Sequence, residues 1–155
     1  YLPGVATTLN NLGILNRAEN RNTDARKQYK EALDIRRALA KHNPDVYLPD
    51  VAKTLNNLGI LSRAENRNTD ARKQYEEALD IRRALAKHNP DVYLPDVAQT
   101  LNNLGILSRT ENRNADARKQ FEEALYIFRQ FAARARPTYQ PRVQLVEDLI
   151  RALPK

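Results

Sequence analysis

The chain is close to a copy of itself shifted by 46 residues. The segment Tyr1–Val46 returns as Tyr47–Val92 with four differences: Gly4 becomes Asp50, Thr7 becomes Lys53, Asn16 becomes Ser62 and Lys30 becomes Glu76. A third copy starts at Tyr93 and drifts after Leu125. A fourth opens at Tyr139 as YQPRVQLVEDLIRALPK and stops after the length of one helix. A fixed period of this size marks a stacked array, in which each unit leans on its neighbours instead of closing a core alone. The expected organisation is therefore repeats over 1–46, 47–92 and 93–138, with a half repeat over 139–155 that caps the end.

Each unit reads as two helices. Pro49 suits the first turn of a first helix, A, where a missing N–H costs nothing, and Asp50 beside it favours the positive end of the helix dipole. Val51, Leu55, Leu58 and Ser62 then follow at helical spacing, with Ala52, Gly59 and Leu61 widening the apolar face. Glu65-Asn66-Arg67-Asn68 breaks the pattern, and Asn tolerates a left-handed backbone or can cap. A second helix, B, resumes near Thr69-Asp70 with Ala71, Tyr75, Ala78, Ile81 and Leu85, and Asn89-Pro90 ends it. No segment alternates as a half-buried strand does. Helices are expected near 3–17, 23–42, 49–63, 69–88, 95–109, 115–134 and 141–153, about seven in all. The fold class is all-α, a right-handed α-solenoid of antiparallel helix hairpins.

The pattern Leu55-x-x-Leu58-Gly59 followed by Ala71-x-x-x-Tyr75-x-x-Ala78 resembles the tetratricopeptide repeat. It recurs at Leu9, Leu12, Gly13, Ala25, Tyr29 and Ala32, and again at Leu101, Leu104, Gly105, Ala117, Phe121 and Ala124. The Gly and Ala positions let two helices approach closely, and the aromatic fills space between hairpins. Two departures stand out. Asn16, Ser62 and Ser108 replace the motif's aromatic late in helix A, and the period is 46 residues where that repeat has 34. HEAT and armadillo repeats share the longer period, but the Gly, Ala, aromatic, Ala spacing favours the tetratricopeptide reading. The run PDVAKTLNNLGIL with a long helix B is similar to the extended repeats of kinesin light chains and their bacterial relatives. Relative to those, the excess is about one helical turn, which preserves the phase of the apolar face.

The resemblance implies a scaffold that binds protein or peptide along a concave groove lined by helix A. Lys53, Asn56, Ile60 and Arg63 form one stripe there, with Asn57 beside it. The equivalent stripes are Thr7, Asn10, Asn11, Ile14 and Arg17, then Gln99, Asn102, Asn103, Ile106 and Arg109. An Asn amide both donates and accepts, so it suits a peptide backbone; Ile offers an apolar floor and Arg a site for a carboxylate. The same Asn side chains could instead bond hairpin to hairpin, and mid-helix Asn costs about 0.5–0.7 kcal/mol against Ala, so some compensation is required. Both readings stay open at this point. A Lys/Asn/Arg clamp for C-terminal carboxylates is incomplete, since Lys53 alone is basic at its position.

Composition narrows the alternatives. Cys is absent, which excludes disulfides and thiolate metal sites and agrees with a reducing, cytoplasmic location. No apolar run approaches the roughly 18–20 residues of a membrane span, and no secretory leader is visible. The chain starts at Tyr1 and has no Met, as expected of a segment from a longer protein. The net charge of +7 is spread over all copies without a basic cluster, which disfavours nucleic acid as a partner.

No cofactor, metal or enzymatic activity is expected. The two histidines, His42 and His88, sit at equivalent helix-B ends where a cation complements the dipole. Ser62 and Ser108 lie mid-helix without a His nearby. Glu76, Glu77 and Asp80 after Arg72 and Lys73 read as a solvated, ion-paired face.

Both ends of the chain depart from the repeat. In the third copy Tyr126, Phe128 and Phe131 replace Asp80, Arg82 and Leu85, apolar surface that suggests a neighbour other than a standard repeat. Val5, Leu9 and Leu12 open the array without a cap, which suggests further repeats upstream or end-to-end self-association. Two rival functions remain: a sensor arm of a larger signalling protein, and a designed or consensus array without a natural ligand.

Overall fold

The structure, a computed structural model, describes residues 1–155. Seven helices account for almost all of them: α1 (Leu2–Ala18), α2 (Asn22–His42), α3 (Pro44–Ala64), α4 (Asn68–His88), α5 (Pro90–Thr110), α6 (Asn114–Ala132) and α7 (Arg136–Arg151). There is no strand. The chain divides into two compact units, Tyr1–Ile81 and Arg82–Lys155, with the boundary inside α4.

In the first unit α1 packs on α2, α2 on α3, and α1 touches α3. Its core joins Ala25, Tyr29, Leu33 and Ala40 of α2 to Val51, Leu55, Leu58 and Leu61 of α3 and Ala78 of α4. In the second unit α5 packs on α6 and α6 on α7. Val97, Leu101, Leu104, Leu107, Phe121, Phe128, Val143 and Val146 are buried there.

After α1, the first helix of each hairpin begins earlier than the sequence pattern implies. α3 starts at Pro44, not near 49, and α5 at Pro90. Pro49 and Pro95 therefore lie inside their helices, and the acidic residue of the first turn is Asp45 or Asp91 rather than Asp50. Pro44 supplies the preset φ at the first helical position. Pro49 then removes only one bond close to the helix start, to the carbonyl of solvent-exposed Asp45. The added turn is anchored by Tyr47 and Leu48, which pack against the core of the first unit. α7 likewise begins at Arg136, with Pro141 internal, and α6 stops at Ala132, two residues short of the expectation.

The turns between A and B helices follow the Asn signal. Asn20, Asn66 and Asn112 have φ of 59°, 58° and 58°. In each, the N–H of Asn bonds the carbonyl three residues back and the following Arg N–H bonds the carbonyl five back, as in Arg67 N–H to Ser62 C=O at 2.8 Å. This is a Schellman ending, and Asn takes the position that Gly commonly holds because its short polar side chain tolerates the left-handed region.

The motif's glycines have a specific cause. A Cβ on Gly13 would meet the Tyr29 ring at 2.6 Å, and one on Gly59 the Tyr75 ring at 2.5 Å; Gly105 faces Phe121 in the same way. All three rings have no exposed surface. The aromatic thus sits against the glycine of its own hairpin, and Tyr29 also joins the core cluster that includes Leu55 and Leu58 of the next one. Three residues from each glycine along the helix, a polar pair closes the hairpin where the motif has an aromatic. Asn16 Nδ2 donates to Gln28 Oε1 at 2.7 Å, and Ser62 and Ser108 Oγ donate to Gln74 and Gln120 Oε1 at 2.8 Å.

Candidate functional site

In the first unit the candidate stripes lie on α1 and α3. Thr7, Asn11 and Ile14 are exposed, Arg17 is half-buried, and Asn10 is buried. On α3, Lys53 is exposed, Asn57, Ile60 and Arg63 are half-buried, and Asn56 is buried. Asn57 Nδ2 donates to Asn10 Oδ1 at 3.2 Å. The Asn ladder therefore ties α1 to α3, so Asn10 is a structural residue and its carbonyl is already engaged.

A buried arginine completes that tie from the other side. Arg36 of α2 is 3% exposed and donates to Thr54 Oγ1 at 2.5 Å and to the Asp50 carbonyl at 3.3 Å. Thr54 Oγ1 in turn lies 3.1 Å from the Asp50 carbonyl and 3.4 Å from Asn10 Oδ1. One hydroxyl thus links three helices. Burial pushes the Arg36 guanidinium below its usual range, partly offset by the Asp50 carboxylate at 4.0 Å. Neither Arg36 nor Thr54 stood out in the sequence, and Asp50 read there only as a partner of the helix dipole. Their signal was available: each recurs in the next copy, as Arg82, Thr100 and Asp96.

In the second unit Gln99, Ile106 and Arg109 of α5 are half-buried, while Asn102 and Asn103 are buried. Arg82 repeats the clasp, reaching Thr100 Oγ1 at 2.6 Å and the Asp96 carbonyl at 3.3 Å. The ladder stops at α7, where the positions of Thr54 and Asn57 are Val146 and Leu149. Accordingly Asn102 Oδ1 is buried without a hydrogen-bond partner.

The accessible part of the stripe is thus cationic and apolar rather than amide-rich. Arg17, Arg63 and Arg109 form no ion pair, whereas arginines on the helix-B side are engaged, Arg37 with Glu77 and Arg83 with Glu123, each at 2.7 Å. Beneath them the Tyr75 hydroxyl is buried without a hydrogen-bond partner, and the buried Tyr29 hydroxyl faces the Arg17 guanidinium. Burial raises the Tyr29 pKa, with Arg17 acting against it. Burial pushes Tyr75 up to about 12, with Arg63 and then Arg17 opposing.

The remaining candidates carry no convergent chemistry. His42 and His88 end α2 and α4 as exposed side chains. No group of three or more His, Asp or Glu side chains is placed to hold a metal ion. No helix is long and apolar enough to cross a membrane. The apolar residues of the third copy meet α7: Phe128 is buried, Phe131 lies 5.4 Å from the Tyr139 ring, and Tyr126 remains exposed.

Tetratricopeptide repeat profiles match over residues 50–130 and 5–45. No curated protein matches the sequence. Among solved structures, BtubC (BKLC) from P. vanneervenii is similar with a TM-score of 0.68 at 20% identity, over 100% of this chain and 68% of that one. That likeness speaks to the fold, and it agrees with an all-α, solenoid-type arrangement of successive helix pairs. With the profile matches and the recurring glycine–aromatic contact, it leads to one conclusion: the chain belongs to the tetratricopeptide repeat family.

Proposed function

We propose that this chain is a non-enzymatic scaffold that binds an extended protein segment along the helix-A face. Tetratricopeptide repeats generally mediate protein–protein interaction. The observation that carries the finer reading is the set of unpaired arginines on that face, beside accessible isoleucines. Arg17 and Arg63 in the first unit, and Arg109 in the second, are cations without a carboxylate partner in the chain. A guanidinium held half-buried and unpaired favours an incoming acidic group, because a charge-assisted hydrogen bond there exceeds a neutral one. Ile14, Ile60 and Ile106 supply apolar contact next to each.

Of the amide positions, Asn11 and Asn57 stay accessible to a peptide backbone, while Asn10 serves the stacking of hairpins. Thr7 and Lys53 edge the face in the first unit and Gln99 edges it in the second, and their variation between copies sets a different side-chain preference in each repeat. Asn56, Asn102 and Asn103 support the face from below.

The test is a peptide-display selection on the wild-type chain, followed by affinity measurement on variants. Ile60→Ser with Arg63→Ser is expected to weaken selected peptides at least tenfold, about 1.4 kcal/mol. Asp80→Ser, exposed on α4, serves as the control and should leave affinity unchanged. Equal affinity for both variants would remove the helix-A face from the account.

A further inference from the structure

We propose that α1 pairs with α1 of a second copy of this chain, antiparallel about a twofold axis between Thr8 and Leu9. α1 leaves Leu2, Val5, Leu12 and Leu15 at 55, 42, 41 and 53% exposure. The corresponding Val51, Leu58 and Leu61 of α3 are at most 2% exposed, because they join the core cluster with α2. The same side chains on the same kind of helix are thus covered in one place and open in the other. Single exposed leucines need no explanation, but a contiguous stripe along one helix marks an interaction surface.

The chemistry of the stripe selects its occupant. Where a preceding helix B covers an A helix, it presses a buried arginine onto it: Arg36 onto Thr54 beside Asp50, and Arg82 onto Thr100 beside Asp96. α1 keeps the threonine as Thr8 but has Gly4 in place of the aspartate, at one of the four positions where the first copy departs from the second. A helix bringing that arginine would lose its counter-charge, and a buried charge without its partner is strongly unfavourable. The face therefore fits a partner helix without charge. The pairing stretch of α1 is itself free of charge, since no side chain from Tyr1 to Asn16 is ionised at neutral pH and the one charged residue of the helix, Arg17, follows it.

The spacing is also self-complementary. Residues 2, 5, 12 and 15 read the same in both directions about the point between 8 and 9. An antiparallel partner sets Leu2 against Leu15 of the other copy and Val5 against its Leu12. This is the isologous arrangement a closed dimer requires. Head-to-tail growth lacks a second surface of this type. The inner side of α2 is taken by α3, and that of α6 by α7. On α7, Arg151 stands where Gly13, Gly59 and Gly105 seat an aromatic, so a helix B of another copy would meet a side chain there.

Sedimentation velocity from micromolar to millimolar chain is the first test, with a concentration-dependent dimer expected. Leu12→Glu and, separately, Val5→Lys should each raise the dimer dissociation constant at least tenfold with helicity retained. Leu145→Glu, exposed on α7, should leave it unchanged. Because the chain has no cysteine, Thr8→Cys reports the axis directly. It should oxidise to a covalent dimer, and fail to do so when combined with Val5→Lys. A strictly monomeric chain, dimer loss on Leu145→Glu alone, or Thr8→Cys linking equally well with Val5→Lys would each overturn the proposal.

Discussion

The α2–α3 contact of the first unit and the α6–α7 contact of the second occupy the same place in the repeat and are sealed by opposite chemistry. In the first, a buried guanidinium, Arg36, is held by the Thr54 hydroxyl and the Asp50 carbonyl. In the second, Phe128 and Val146 stand at the positions of Arg36 and Thr54, and both are buried. The charge has moved rather than vanished. The Asp50 position becomes Arg142, whose guanidinium lies 5.8 Å from both the Phe128 and Tyr139 ring centres. An inward cation with an outward anion is thus replaced by an inward ring with an outward cation above it, a cation–π arrangement. The difference teaches that the backbone junction does not dictate polarity. It demands that three positions agree with one another.

That agreement is open to attack, and the largest effect is expected from breaking it at the apolar junction. Phe128→Arg alone would bury a guanidinium against Val146 with Arg142 close by, and should cost about 3–5 kcal/mol in urea unfolding. Adding Val146→Thr and Arg142→Asp rebuilds the α2–α3 set and should recover most of that loss. Failure of the triple variant to improve on the single one would show that the three positions do not act as a unit.

A smaller loss is expected at the polar junction. Thr54→Val removes the acceptor of the Arg36 bond at 2.5 Å, and should cost about 1–3 kcal/mol, because a buried donor loses its partner. The double variant Arg36→Met with Thr54→Val should return to the wild-type value or exceed it, since a buried charge is often no better than an apolar side chain of similar volume. A double variant less stable than Thr54→Val would reverse that conclusion.

The smallest effect at neutral pH concerns the ring seated on each glycine. Tyr75 in the first unit has a buried hydroxyl without a partner, and Phe121 in the second has none to satisfy. Tyr75→Phe should change stability by less than about 1 kcal/mol at pH 7, because it removes only an unpaired polar group. The alkaline side differs. The folded-state pKa, raised to about 12, exceeds the unfolded value of 10.0, so protons are held more tightly in the native state. The stability linked to this group is complete below pH 10 and is lost as pH rises toward 12. Tyr75→Phe should therefore flatten the fall in stability between those limits. An unchanged alkaline slope would mean that the hydroxyl ionises as freely in the native chain as in the unfolded one.

Much of this fold was legible in the sequence. The 46-residue self-similarity, the Asn-rich breaks and the Gly and aromatic positions are local or periodic signals. Each has one dominant physical reading: stacking, left-handed φ and close helix approach. The starts of α3, α5 and α7 lie about one turn earlier than the pattern implies, because a proline reads as a boundary when considered alone. Asn43-Pro44 makes the true boundary, and Pro49 one turn later is tolerated at the price of one exposed carbonyl. The candidate face was only partly legible. Helical spacing groups Lys53, Asn56, Ile60 and Arg63 correctly, but it cannot say which amides a neighbouring helix will cover.

The sequence by itself determined the helical hairpin, its period and the family to which the chain belongs, because those depend on residue type at fixed separations along one chain. Only the tertiary structure decided that Asn10 bonds to Asn57, that Arg36 closes on Thr54, and that Arg17 and Arg63 are left without a counter-charge. Those facts depend on which side chains meet across separations of 18 to 47 residues. A hydrogen bond or an ion pair is fixed by distance in space, and periodicity along the chain carries no measure of it.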